Sequence, residues 1–194
     1  MSNPPKIKIK RTTPEFRVSY PHVFKPHAVP GSGQEPKYSV TMLIPKTANL
    51  DGLKSAITEA LTAKFGADRS AWPKIRNPIR DGDGEDFAGK KGYQGNYVLS
   101  ARTSDKPGVI DASGNEIINE GDFYGGCYAK ATVVAFWYEK AGNKGVAFAL
   151  NNLLKTRDGE PFGQAKADAA SDFKDDLTVG PASAPAAKDD DIFG

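Results

Sequence analysis

The side chains that most often carry chemistry are scarce in this chain. Its two histidines, His22 and His27, lie five residues apart, and its single cysteine, Cys127, is far from both. No zinc-ligand spacing results. There is no phosphate-binding glycine loop, no Gly-x-Ser-x-Gly and no dinucleotide fingerprint. The acidic turn Asp81-Gly82-Asp83-Gly84-Glu85-Asp86 opens like a calcium loop, with carboxylates at positions one, three and five. Position six is Asp86 instead of glycine, and position twelve is Gly92 where a closing bidentate glutamate is needed. The same carboxylates could hold magnesium for a nuclease, but no base accompanies them. The sequence reads as a non-enzyme with no metal and no cofactor.

A binding chemistry is better represented. Between Trp72 and Tyr93 the chain interleaves cations with rings: Trp72, Lys74, Arg76, Arg80, Lys90, Lys91 and Tyr93. Single-stranded nucleic acid calls for both types. Cations neutralise phosphates, and flat rings stack on splayed bases at roughly 1–3 kcal/mol per base. The competing reading is that Trp72 and Tyr93 cap a barrel while the cations form a solvated rim. Lys37, Arg102 and Lys130, on strands, complete the set of nucleic-acid-binding candidates.

These residues need a frame, and the patterning supplies one. Residues 1–13 place Lys6, Lys8, Lys10 and Arg11 around Ile7 and Ile9, which suits a basic arm or an edge strand. Residues 15–25 alternate, with Phe16, Val18 and Tyr20 on one side and Pro21 marking an edge or bulge. Residues 37–45 read as a strand with Tyr38, Val40, Met42 and Ile44 on one face. A helix follows, capped by Asn49 and stopped by Gly66, with Leu50, Leu53, Ile57, Ala60, Leu61 and Phe65 as its apolar stripe. Residues 67–95 read as one long irregular loop. Residues 96–104 are a strand, with Tyr97, Leu99 and Ala101 inward and Arg102 outward. A short strand at 109–111 comes next.

Residues 127–139 and 146–155 form a hairpin about the turn 141–145. The apolar row Tyr128, Thr132, Val134, Phe136 and Tyr138, which includes Lys130, is read as inward at its centre. Trp137, on the other row, is open to core, dimer contact or base platform. Five to seven strands and one helix suggest a mainly β chain closed as a small barrel.

At 194 residues, 26% charged and 39% hydrophobic, the chain has the size and composition of about one folding domain. No apolar run is long enough for a transmembrane helix, the first residues do not pattern as a signal peptide, and a single cysteine suits a reducing cytosol. The net charge of +2 conceals a division: residues 168–194 hold two Lys against seven Asp, which leaves +7 on residues 1–167. The span 164–194 is rich in Ala, Asp, Ser and Pro and is expected to be disordered. It ends Asp189-Asp190-Asp191-Ile192-Phe193-Gly194, an acidic run with an apolar hook that could dock a partner.

In combination, the 37–45 strand, the Trp72 to Gly95 loop, the 128–138 and 145–155 strands and the acidic ending resemble the phage-encoded single-stranded DNA-binding proteins with an OB fold and an acidic tail. The resemblance runs over roughly residues 8–163, plus the tail. It implies a five-stranded OB barrel with one helix over residues 1–163, and a disordered acidic tail over 164–194. It further implies a cytoplasmic protein, in the host cell if phage-encoded, that coats single-stranded DNA without sequence preference and without catalysis. The tail would moderate binding and recruit replication or recombination proteins through Asp189, Asp190, Asp191, Ile192 and Phe193. Tails of that family end on Phe; here Gly194 moves the terminal carboxylate one residue on. An RNA-binding or chaperone module and, further off, a metal-dependent nuclease or a virion structural protein are the alternatives. A homodimer is left open.

The charge division yields a prediction. Removing residues 168–194 raises the net charge from +2 to +7 and is expected to tighten single-strand binding and to admit duplex DNA. Fluorescence anisotropy of the 1–194 and 1–167 chains on oligo-dT and its duplex, at two salt concentrations, checks this; equal affinities refute it.

Overall fold

The structure is a computed structural model and describes residues 9–163 apart from 29, 32 and 141. It contains eight strands and one α-helix: β1 (Ile9–Thr12), β2 (Phe16–His27), β3 (Lys37–Pro45), α1 (Asp51–Phe65), β4 (Ile79–Asp81), β5 (Asn96–Thr103), β6 (Gly108–Ile110), β7 (Tyr128–Lys140) and β8 (Asn143–Arg157). Among the described residues no helix is long and apolar enough to cross a membrane.

Five strands close a barrel. β2 pairs antiparallel with β3, β3 with β5, and β7 with both β8 and β2. β5 pairs parallel with β8 through Ala101↔Phe148 and Arg102↔Ala149, and this short ladder completes the ring. Closure of this kind leaves few sheet edges exposed. β1 adds to the far edge of β7, β6 to β8, and β4 to β5 beside Tyr97–Leu99.

The expected inward rows of β3 and β5 are present: Val40, Met42, Ile44, Leu99 and Ala101 are all buried in the main core. In β7 the faces are reversed relative to the sequence reading. Ala129, Ala131, Val133 and Ala135 point inward, whereas Phe136 is 42% exposed and Lys130 stands outside. Small inner residues suit the strand that α1 lies against. Hydrophobicity alone favoured the bulkier row; space inside the barrel favours the smaller one. Trp137, on the inner row, is partly buried and packs edge-on against Phe65 at the edge of the core, with ring centroids 4.8 Å apart.

α1 starts one residue later than the Asn49 cap implies: Leu50 is the N-cap residue, and its side chain makes no capping hydrogen bond. Asp51 N–H donates to Asn49 Oδ1 at 2.7 Å, and Gly66, at φ 85°, ends the helix while its N–H bonds Thr62 O. Leu53, Ala56, Ala60 and Leu61 face the core. Glu59 on the same helix grips the Arg11 guanidinium through both carboxylate oxygens, at 2.8 and 3.0 Å, which ties β1 to α1. The two-residue connection between Lys140 and Asn143 is tighter than the five-residue turn expected.

Two further differences concern the future site. The 67–95 stretch is not irregular: it holds β4 and 3₁₀ turns at Arg69–Ala71 and Glu85–Phe87. Its last part folds over the outside of the barrel, where Phe87 and Tyr93 bury the outward pair Leu43 and Val98 in a second small core, joined by Phe162. In β2 the register slips between Ser19 and His22, next to Pro21. The inward alternation of Phe16 and Val18 resumes at Val23, and Tyr20, expected inward, is thrown out to 60% exposure.

Gly82 lets the outer loop close. A Cβ there would lie 2.2 Å from Tyr93 O and 2.6 Å from Asn96 O, both backbone atoms that cannot swing aside. Gly82→Ala is expected to destabilise the fold by about 1–3 kcal/mol, as overpacking does. Urea unfolding monitored by circular dichroism measures it, and an unchanged midpoint refutes it.

Candidate nucleic-acid interface

The outer face of β2, β3 and β5 is graded along the strands. One end is the apolar pair Leu43 and Val98, roofed by Phe87 and Tyr93. Next comes a hydroxyl row: Ser19, Thr41 and Ser100 occupy successive register positions, with Thr41 Oγ1 and Ser100 Oγ 3.3 Å apart. Beyond it, His22, Ser39 and Arg102 align across the three strands, and His27 faces Lys37. Lys37, Ser39 and Arg102 line one shallow concavity with His27 and Glu35. The two imidazoles stack, with centroids 4.3 Å apart and ring planes nearly parallel, 13° between them. Burial first, and then the charge of His27, hold the His22 pKa below the ordinary imidazole value.

A second cationic group borders the apolar end. The Arg80 guanidinium lies 4.6 Å from the Phe87 ring centre, and the Lys90 ammonium lies 5.4 Å from the same ring and 5.6 Å from that of Tyr93. The aromatic faces attract and orient these cations. Among the described residues, none of Lys37, Arg80, Lys90 and Arg102 is within ion-pair distance of a carboxylate.

The other sequence candidates are dispersed. Arg76 shares a groove with Arg80 and Phe87 but reaches Asp86 at 3.4 Å. Lys91 pairs with Glu160 at 2.9 Å. Trp72 is half-buried against the main core, and its Nε1–H donates to Gly66 O at 3.0 Å. Lys74 is exposed near it in sequence. Lys130 is exposed on β7, two strands removed from Arg102. The tail residues Asp189, Asp190, Asp191, Ile192 and Phe193 lie outside the described residues.

Tyr93 requires a correction. It was expected as an open stacking ring, but it is only 4% exposed. Its hydroxyl meets Ser19 Oγ at 3.1 Å. Burial pushes that hydroxyl's pKa up, partly offset by the Ser19 hydrogen bond; Tyr20 (upward) and Arg80 (downward) act on it more weakly. The ring is spent on roofing Leu43 and Val98. The acidic turn is likewise occupied: Lys46 Nζ stands 2.6 Å from Asp81 Oδ1 and 2.7 Å from Asp83 Oδ2, while Asp83 Oδ1 accepts from Gly95 N–H. These contacts depress both carboxyl pKa values. One ammonium thus engages two of the turn's four carboxylates.

Sequence reasoning missed Tyr20 and the His22–His27 stack, which border this strip, and Arg17. The Arg17 guanidinium lies 4.3 Å from the Phe162 ring centre, and its Nε–H donates to Gly126 O. The available signal was Pro21: a proline bulge reverses the in–out alternation of everything near it.

Comparison with known proteins agrees with this architecture. Residues 7–183 match the family described as Enterobacter phage Enc34, ssDNA-binding protein. A protein designated p50 from Acyrthosiphon pisum secondary endosymbiont phage 1 is 33% identical over 186 residues, spanning 90% of this chain and 95% of its own. The bacteriophage Enc34 single-stranded DNA-binding protein, solved in complex with ssDNA, is 32% identical with a TM-score of 0.66, covering 79% of this chain and 89% of that one. The single-stranded DNA-binding protein gp2.5 of bacteriophage T7 shares the fold at 16% identity, with a TM-score of 0.57 over 82% of this chain and 97% of its own. The profile spans most of the chain and the Enc34 protein shares its fold, so this chain belongs to the Enc34 family of phage single-stranded DNA-binding proteins.

Proposed function

We propose that this protein binds and coats single-stranded DNA along the outer face of β2, β3 and β5, without sequence preference, in phage DNA replication or recombination. The observation that carries the reading is the graded strip itself. Lys37 and Arg102 at one end, and Arg80 and Lys90 at the other, stand without carboxylate partners among the described residues, and hydroxyls and imidazoles fill the space between. Such a surface offers cations to phosphates and polar groups to sugars, and makes no demand on base identity. The Enc34 relative, solved with ssDNA, supports the choice of ligand.

On this reading residues 1–163 are the binding domain. Residues 164–194 are an acidic tail that competes with DNA and recruits replication or recombination proteins in the host cytoplasm. The strip needs no reacting group. In the acidic turn, Asp81 and Asp83 both pair with Lys46. Competition between matched DNA and RNA oligomers decides between DNA coating and an RNA-binding role.

Affinity for oligo-dT is expected to fall steeply with salt. Each phosphate contact removed should flatten the log K against log salt plot by about 0.7. Lys37→Ala combined with Arg102→Ala is therefore expected to flatten it by about 1.4 and to weaken binding several-fold at low salt. A flat salt dependence in the wild-type chain refutes the reading. An unchanged slope in the double variant removes these two residues from the interface.

A further inference from the structure

Tyr20 differs from every other ring on this face. Its backbone lies at φ 44°, the only non-glycine left-handed conformation among the described residues. For a bulky side chain this is a rare and costly state, and glycine would adopt it freely. The ring recovers little of that cost through burial, because it is 60% exposed. Phe87 and Tyr93, the neighbouring rings, are buried beneath the outer loop.

The position of Tyr20 is fixed from both sides. Ser19, before it, is buried and held to the Tyr93 hydroxyl. Pro21, after it, has a locked φ and sits where the β2–β3 register slips. The bulge thus holds an open aromatic face beside the hydroxyl row, between the Arg80–Lys90 group and the Lys37–Arg102 group.

We propose that Tyr20 is the platform on which one base of the bound single strand stacks, with the phosphates on either side reaching the two cationic groups. This rests on the function proposed above and adds the nucleobase site to it. Every base presents a π-face, so a single ring adds affinity without sequence preference.

The test uses the full-length chain and labelled oligo-dT. Tyr20→Gly removes the ring and relieves the backbone. Its melting temperature is expected to equal or exceed that of the wild type, while its affinity falls at least about fivefold, the lower end for one lost stack. The salt slope should stay unchanged, because no phosphate contact is lost. Tyr20→Phe should bind within about twofold of wild type. A Gly variant that binds like wild type, or that loses salt slope, overturns the proposal. Should the Gly variant melt too low to titrate, Tyr20→Trp decides: oligo-dT is expected to quench its added emission, and absence of quenching overturns the assignment. A wild-type chain that does not bind oligo-dT overturns the proposed function and Tyr20's role together; wild-type binding with an unaffected Gly variant overturns Tyr20 alone.

Discussion

Strand β5 has one edge to offer once β3 has taken the other, and two elements divide it. β4 occupies the stretch opposite Tyr97–Leu99, and β8 takes Ala101 and Arg102 in a parallel ladder. Everything else follows from this division. The parallel ladder closes the ring that encloses the main core. The β4 share anchors the segment that turns at Gly82 and folds back over the barrel as the Phe87–Tyr93 roof. Arg80 belongs to β4, and Arg102 belongs to the closing pair. The two cationic groups of the interface are therefore fixed by the same strand, one at each share of its edge.

Charge is distributed with equal economy. Cations away from the strip are matched: Lys46 with Asp81 and Asp83, Arg11 with Glu59, Lys155 with Asp158, Arg157 with Glu15. Apart from the largely buried Lys155, these pairs are exposed or half-exposed, each of small energetic weight. The aromatic rings make a parallel division. Phe87 is buried for packing yet still presents its field to Arg80 and Lys90.

The β3 strand, the helix with its Gly66 stop, and the hairpin of 127–139 and 146–155 were legible in the sequence because each rests on local periodicity or a local stop. Three readings failed for want of tertiary information. The β7 faces could not be assigned because both rows are apolar, and the room left inside the barrel decides between them. Tyr93 reads as an exposed ring in an irregular loop until β4 brings that loop across Leu43 and Val98. Tyr20 follows the alternation of Phe16 and Val18 until Pro21 breaks it. Among the interface candidates, Lys37 and Arg102 came from strand parity and lie side by side. Trp72, Lys74, Arg76 and Lys91 came from composition alone, and the chain scatters them or pairs them with acids.

Both tryptophans are fastened near one end of the helix. Trp137 meets Phe65 edge-on, and Trp72 hydrogen-bonds the Gly66 carbonyl just beyond. The natural emission of this protein is thus a gauge of whether the last turn of α1 is seated on the barrel. It would report any opening of that corner under heat or denaturant, while remaining largely silent about events on the β2–β3–β5 face.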